Sequence, residues 1–171
     1  MALIKSIKGK NPSFGKEVYL ADNTTVIGDV EIGNYCSLWF SSVVRGDVNS
    51  IKIGNKVNIQ DGAIIHCTYK KAKTTIGDNV SIGHNAIVHG CTIESNVLIG
   101  MGAIIMDKVI VKKNSIIAAG SVVLEGTEIP EGSTFAGVPA RMVKKNIPKD
   151  INKLTDNLSE NYIMYSSWLR D

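Results

Sequence analysis

A chain of 171 residues, 44% hydrophobic and 20% charged, has the length and composition of one soluble globular domain. Its net charge of +3 is spread along the sequence, its longest apolar runs are short, and "MALIKSIKGKNPSFG" lacks an apolar leader core. No nucleic-acid partner, membrane span or signal peptide is therefore expected. The three cysteines (Cys36, Cys67 and Cys91) form no C-x-x-C pair, which fits a reducing, cytoplasmic setting.

Along the chain an aliphatic residue recurs every six positions. It does so at Val26, Ile32, Leu38 and Val44, then in shifted phase at Ile53, Ile59 and Ile65, and again at Ile76, Ile82 and Val88. A longer series follows at Ile93, Ile99, Ile105, Val111, Ile117, Val123, Ile129 and Phe135. Four positions after its first seven members come Val97, Ala103, Val109, Ser115, Ser121, Thr127 and Ser133, all small or β-branched. A period of six is not helical. With glycine at short intervals it predicts short strands joined by turns, the hexapeptide form of a β-solenoid. The pattern resembles the left-handed parallel β-helix, in which three hexapeptides make one triangular coil; the handedness comes from that resemblance. Residue i then fills the interior and i+4 packs near a corner, while i+1 and i+2 face outward. These strands, with an N-terminal lead-in, are expected to occupy residues 1–147.

After Pro148 the spacing changes. Ile151, Leu154, Leu158, Tyr162, Tyr165 and Leu169 are three or four apart, predicting one amphipathic α-helix over residues 148–171 packed on the outside of the solenoid.

All three histidines fall in the middle coils. His84 and His89 are five apart, a spacing that neither a helix face nor a strand face uses. Two breaks in phase decide their placement. Val44 to Ile53 is nine residues, read as one hexapeptide plus three, and Ile65 to Ile76 is eleven, one hexapeptide plus a five-residue loop at "KAKTT" or nearby. On that count Val44, Ile65 and Val88 share a face, so Arg45, His66 and His89 stack, ~4.8 Å apart from strand to strand. His84 lies around a corner, above Asp61 with Gln60 beside it. His66 and His89 can then reach one ion from a single chain, whereas His84 diverges and can join only the pair of a neighbouring subunit. The alternative phase, two hexapeptides with one deletion, would stack His66 with His84 instead.

The segments "VVRGDVNSIKIGNKVNIQDGAIIHCT", "IGDNVSIGHNAIVHGCTI" and "AGVPARMVKK" closely resemble the γ-class carbonic anhydrases and their bacterial homologues, over nearly the whole chain from about Val18. The resemblance implies a metal-dependent carbonic anhydrase that reversibly hydrates CO2 to bicarbonate. It puts His66, His84 and His89 at the metal-ligand positions, shared between subunits of a homotrimer. It makes Arg45 and Asp47 a subunit-bridging pair, and Gln60 and Asp61 a polar pair lining the pocket. Tyr162 would bring an aromatic hydroxyl from the helix. Three neutral imidazoles leave a zinc with an open position, and such a site lowers the pKa of bound water to ~7, giving hydroxide that attacks CO2. Imidazole also suits Fe2+ and Co2+.

The sequence departs from the family in lacking acids beside the ligands. Val48 follows "RGD", and "CTYKKAK" after His66 is basic, so the sequence supplies no acidic route for the proton there. Cys67 and Cys91, close to the ligands in sequence, are readable as small core or edge residues or as a redox-sensitive site. Two other functions compete. One is a hexapeptide acyltransferase, which shares the coil and an "AGVPA"-like ending and uses one histidine as base. The other is a metal-binding trimeric homologue without turnover.

Overall fold

The computed structural model describes residues 1–146 and 148–169; positions 147, 170 and 171, at the limits of the two expected segments, lie outside it. The chain winds as a parallel β-solenoid, followed by a helix over Pro148–Ser167. Successive coils add strands in register. Val44 pairs with Ile65 and Ile65 with Val88, and on a second face Ile59 pairs with Ile82 and Ile82 with Ile99. Every aliphatic residue of the period-six series is buried. From Val26 to Ile129 none exceeds 4% exposure, because the interior of the prism excludes water completely. Deleting such a side chain forfeits burial and leaves a cavity, so Ile→Ala here costs ~2–5 kcal/mol.

Both breaks in phase are insertions. Gly28 pairs with Gly46 and Val30 with Ile51, so one residue (Asp29) faces four (Asp47 to Ser50), three extra. The longer insertion is a tight turn closed by a Thr68–Ala72 bridge, with regular strand resuming at Thr74. It begins three residues before the "KAKTT" stretch and takes in its first two, since Thr74 and Thr75 pair with Ile51 and Lys52. Because the turn bulges outward, the coil keeps its register.

The recurrent "IG" glycines have a steric cause. A Cβ at Gly33 would lie 2.5 Å from the Gly54 carbonyl oxygen, and one at Gly54 would lie 2.5 Å from Asp78 Oδ1. Neighbouring coils touch there, backbone to backbone. A polar ladder runs along the same corner: Asn34, Asn55 and Asp78 side-chain oxygens accept from the backbone N–H of Lys16, Asn34 and Asn55 at 2.6–2.9 Å. Asn79, Asn85, Asn96 and Asn114 turn corners at φ near +57 to +59°, a region that asparagine tolerates better than most residues.

Two features were not legible from the period. The last coil closes with an antiparallel hairpin, Ser133–Gly137 against Ala140–Lys145. The helix, moreover, does not dock by its leucines. Its buried residues are Ile151, Thr155, Ser159 and Ser166, while Leu154 and Leu169 are exposed. Hydrogen bonds supplement the packing of Tyr162 and Tyr165 on Tyr19, Ala21 and Trp39: Asn79 Nδ2 donates to Thr155 Oγ1 at 3.2 Å, and Ser159 Oγ donates to the Lys56 carbonyl at 3.2 Å. The corner beneath the helix is a row of polar turns, so a polar stripe fits it. Among the described residues no helix is long and apolar enough to cross a membrane.

Candidate functional site

His66 and His89 sit at the ends of the strands Ile64–His66 and Ile87–His89, directly opposite each other in the register. Their rings are 5.0 Å apart, and His66 Nδ1 lies 3.0 Å from His89 Nε2. Each ring is held from its far side by a carboxylate. Asp47 Oδ1 is 2.9 Å from His66 Nε2, and Asp107 Oδ1 is 2.6 Å from His89 Nδ1. Burial works against ionisation of both acids. Hydrogen bonds from His66 and Arg45 outweigh it at Asp47, and those from Thr68 and His89 outweigh it at Asp107, so both carboxyls are held below the usual range.

Ionised carboxylates only accept hydrogen bonds. His66 therefore presents its Nε2 proton to Asp47, and His89 its Nδ1 proton to Asp107. With both rings neutral, the two nitrogens that face each other each carry a lone pair. Lone pairs aimed together at 3.0 Å repel unless a cation, either a proton or a metal ion, lies between them. Two nitrogens on one tetrahedral zinc at ~2.05 Å would stand ~3.3 Å apart, so the pair fits two ligands of such an ion after a small spread.

His84 lies on a different face. It follows the strand Ser81–Ile82 by two residues, and its Nδ1 is 2.9 Å from Asp61 Oδ2, which turns Nε2 away from that acid. Gln60 is nearly buried and donates to Asn58 Oδ1 at 3.0 Å, while Asn58 donates to Ser81 Oγ at 2.7 Å. Tyr162 reaches this face from the helix and stacks edge-on against Trp39 with ring centroids 5.3 Å apart. Burial, and then the charge of Asp61, push its phenol up to about 12, so it is protonated at neutral pH. Gln60, His84 and Tyr162 line one open groove of about 430 Å³, whose remaining wall includes Leu98, Met101, Leu154 and Leu158.

The candidate residues thus fall into two groups. Arg45, Asp47, His66 and His89 stand together, with Arg45 Nη1 donating to Asp47. Gln60, Asp61, His84 and Tyr162 form the other. Among the described residues no three metal-ligating side chains of one chain converge on a point. This is the separation expected from the loop count, and it removes the phase that would have stacked His66 with His84.

Sequence reading missed Asp107, Thr68 and Glu125. Asp107 and Glu125 line a cleft with His89, and Glu125 pairs with Lys108 at 3.1 Å and Lys71 at 3.5 Å. The residues next to the ligands in sequence are not acidic, and the fold delivers acids from neighbouring coils instead. Asp107 is eighteen residues after His89, and Glu125 eighteen after Asp107, in each case one regular coil. The cysteines belong to the core: all three are buried and free, burial pushes the Cys91 thiol up to about 12, and Cys67 Sγ donates to the Asn49 carbonyl at 3.2 Å.

Comparison with known proteins places this arrangement. A family described as "Bacterial transferase hexapeptide (six repeats)" matches residues 73–105 and 90–125. The chain is 41% identical to "Gamma carbonic anhydrase 2, mitochondrial" of Arabidopsis thaliana over 94% of its own length, and spans only 59% of that longer relative. It is 46% identical to a Methanocaldococcus jannaschii protein named "Probable carbonic anhydrase", covering 83% of this chain and 89% of the relative. A crystal structure of a "hexapeptide transferase family protein" from Anaplasma phagocytophilum superposes with a TM-score of 0.90 at 37% identity, covering 96% of each chain. With likeness in sequence over most of the chain on one side and in coil architecture on the other, the chain belongs to the γ-class carbonic anhydrase family of hexapeptide-repeat proteins.

Proposed function

We propose that this protein is a carbonic anhydrase, interconverting CO2 and bicarbonate at a divalent metal held between subunits of a cytoplasmic homotrimer. The observation that carries the reading is the pair of lone-pair nitrogens of His66 and His89, fixed by Asp47 and Asp107 to face one another at 3.0 Å. His84, with Nδ1 occupied by Asp61, has Nε2 free to complete such a site on an adjoining subunit. Histidine ligands held by carboxylates are the usual second layer of zinc centres. Zn2+ is the expected metal, with Fe2+ or Co2+ as alternatives suited to imidazole.

A second copy is a natural occupant of the His66 face. Its outward row runs Val43, Ile64, Ile87, Ile104 and Val122, apolar throughout, and Ile64 stands 41% exposed. Contiguous apolar surface of this kind on a soluble protein marks an interaction site. Docked against the groove of the next subunit, this row would bring His66 and His89 up to His84, Gln60 and Tyr162.

A bound metal of open coordination supplies Lewis acidity that activates water at neutral pH. The chain's own residues do the rest. Asp47, Asp61 and Asp107 fix the tautomer and direction of the three imidazoles. Gln60, itself anchored by Asn58, offers an amide that orients the reacting water or bicarbonate. Tyr162, protonated, can only donate or accept a hydrogen bond and does not serve as a base. Arg45 and Asp47 would bridge the subunit boundary.

The shared coil does not separate this reading from an acyltransferase, since both activities use it. What favours the anhydrase is the sequence likeness over most of the chain, together with two imidazoles that face each other, an arrangement a single general base does not need. The test is CO2 hydration by stopped flow on metal-loaded protein, with metal content measured on the same sample. Turnover with about one metal per chain supports the proposal; stoichiometric metal without turnover would leave a metal-binding trimer instead.

A further inference from the structure

We infer that Asp107, steered by Thr68, is the positioning residue that sets the tautomer of His89 and presents its Nε2 for metal, an inference that rests on the metal reading above. Three features of the fold converge on this carboxylate. Oδ1 takes the His89 Nδ1 proton at 2.6 Å. Oδ2 takes the Thr68 hydroxyl proton at 2.6 Å. Gly90, at φ +54°, leaves the space that Oδ1 occupies, because a Cβ there would collide with that oxygen. Both oxygens are therefore committed, and the side chain is only 13% exposed.

The arrangement also gives the long insertion a role. Thr68 opens the turn Thr68–Ala72, and the same turn supplies Lys71, whose charge lies near Asp107. A regular hexapeptide would run straight from His66 into the next corner. The five extra residues instead fold outward and bring a hydroxyl onto Asp107, one coil beyond His89. Free histidine in water favours neither ring nitrogen strongly, so an imidazole without Asp107 would spend part of its time with the proton on Nε2, where it cannot bind a metal.

The test uses the full-length protein in three variants, Asp107→Ala, Asp107→Asn and Thr68→Val. Zinc affinity is read by chelator competition, and the protonation pattern of His89 by 15N NMR of the metal-free protein. Asp107→Ala should weaken zinc about 10- to 100-fold and move His89 from forms that always carry a proton on Nδ1 to a mixture. Asp107→Asn keeps an accepting oxygen and should recover part of both. Thr68→Val retains the carboxylate, and with it the fold, and should cost about fivefold in affinity, the equivalent of one hydrogen bond. Wild-type affinity and an unchanged His89 spectrum in Asp107→Ala and Thr68→Val would overturn the inference. A wild-type protein that bound no zinc, while Asp107→Ala still redistributed the His89 proton, would support the positioning and contradict the metal reading instead.

Discussion

Two sheet faces of this solenoid are built from one repeat and turn opposite chemistry outward. On one, the row facing solvent reads Glu31, Lys52, Thr75, Thr92, Ile110 and Glu128. Ion pairs lace it, Lys52 with Glu31 at 3.1 Å and Lys112 with Glu94 at 3.4 Å and Glu128 at 3.7 Å. On the other, Val43, Ile64, Ile87, Ile104 and Val122 occupy the equivalent row, and the strands of Ile64 and Ile87 end at His66 and His89. The interior positions of both faces are alike, aliphatic and buried. The period therefore specifies the prism, and the residue before each interior position specifies what the face is for. A charged sheet face is a solvated one and resists stray edge or face association, whereas an apolar one implies a partner.

The comparison is broken most severely at the histidines. In His84→Ala, two imidazoles remain, too few for tight binding, and elemental analysis should find most of the metal gone. Full occupancy in that variant would sink the assignment of the site. The faces themselves come next. Ile64→Glu with Ile87→Glu places two charges in the apolar row, and sedimentation should show the trimer shifted to monomer with metal lost in parallel. A trimer that survives would mean the apolar face is not the subunit boundary.

Proton transfer sharpens the same contrast, since Asp47 and Asp107 beside the ligands are already engaged by His66 and His89. If proton exit limits turnover, CO2 hydration should rise several-fold as small imidazole buffers are added, and Val48→Glu should weaken that dependence. A rate already maximal in dilute buffer would point to an internal carrier, with Glu125 the nearest exposed acid in the cleft of His89. The smallest effect belongs to the charged face. Lys112→Ala removes two exposed ion pairs and should change stability by less than ~1 kcal/mol, with trimer and metal untouched. Loss of the trimer there would invert the roles given to the two faces.

Much of this was legible in the sequence for a physical reason: in a solenoid, register follows from counting. Subtracting three residues near Asp47 and five after His66 was enough to stack His66 on His89 and to set His84 above Asp61. Counting failed where contacts do not repeat. The docking of the helix through Thr155 and Ser159 depends on polar corners far away in sequence, so its leucines misled. The hairpin that closes the last coil reverses strand direction, which no periodicity announces. Asp107 and Glu125 follow His89 by eighteen and thirty-six residues, one and two regular coils, a distance at which sequence neighbourhood says nothing. Outward side chains carry no period of their own, so only the folded register reveals which of them meet.

The central claim is that each site draws His66 and His89 from one chain and His84 from the next. It is tested by mixing. One chain carries His84→Ala and the other carries His66→Ala with His89→Ala, so neither homotrimer holds a complete site. Random equal co-assembly makes about three-quarters of trimers mixed, each with one intact site of three, so about a quarter of sites should regain metal. That recovery, in trimers shown by mass spectrometry to be mixed, is the expected result. Mixed trimers that stay without metal would mean that the three ligands come from one chain, and the two-face account would be wrong.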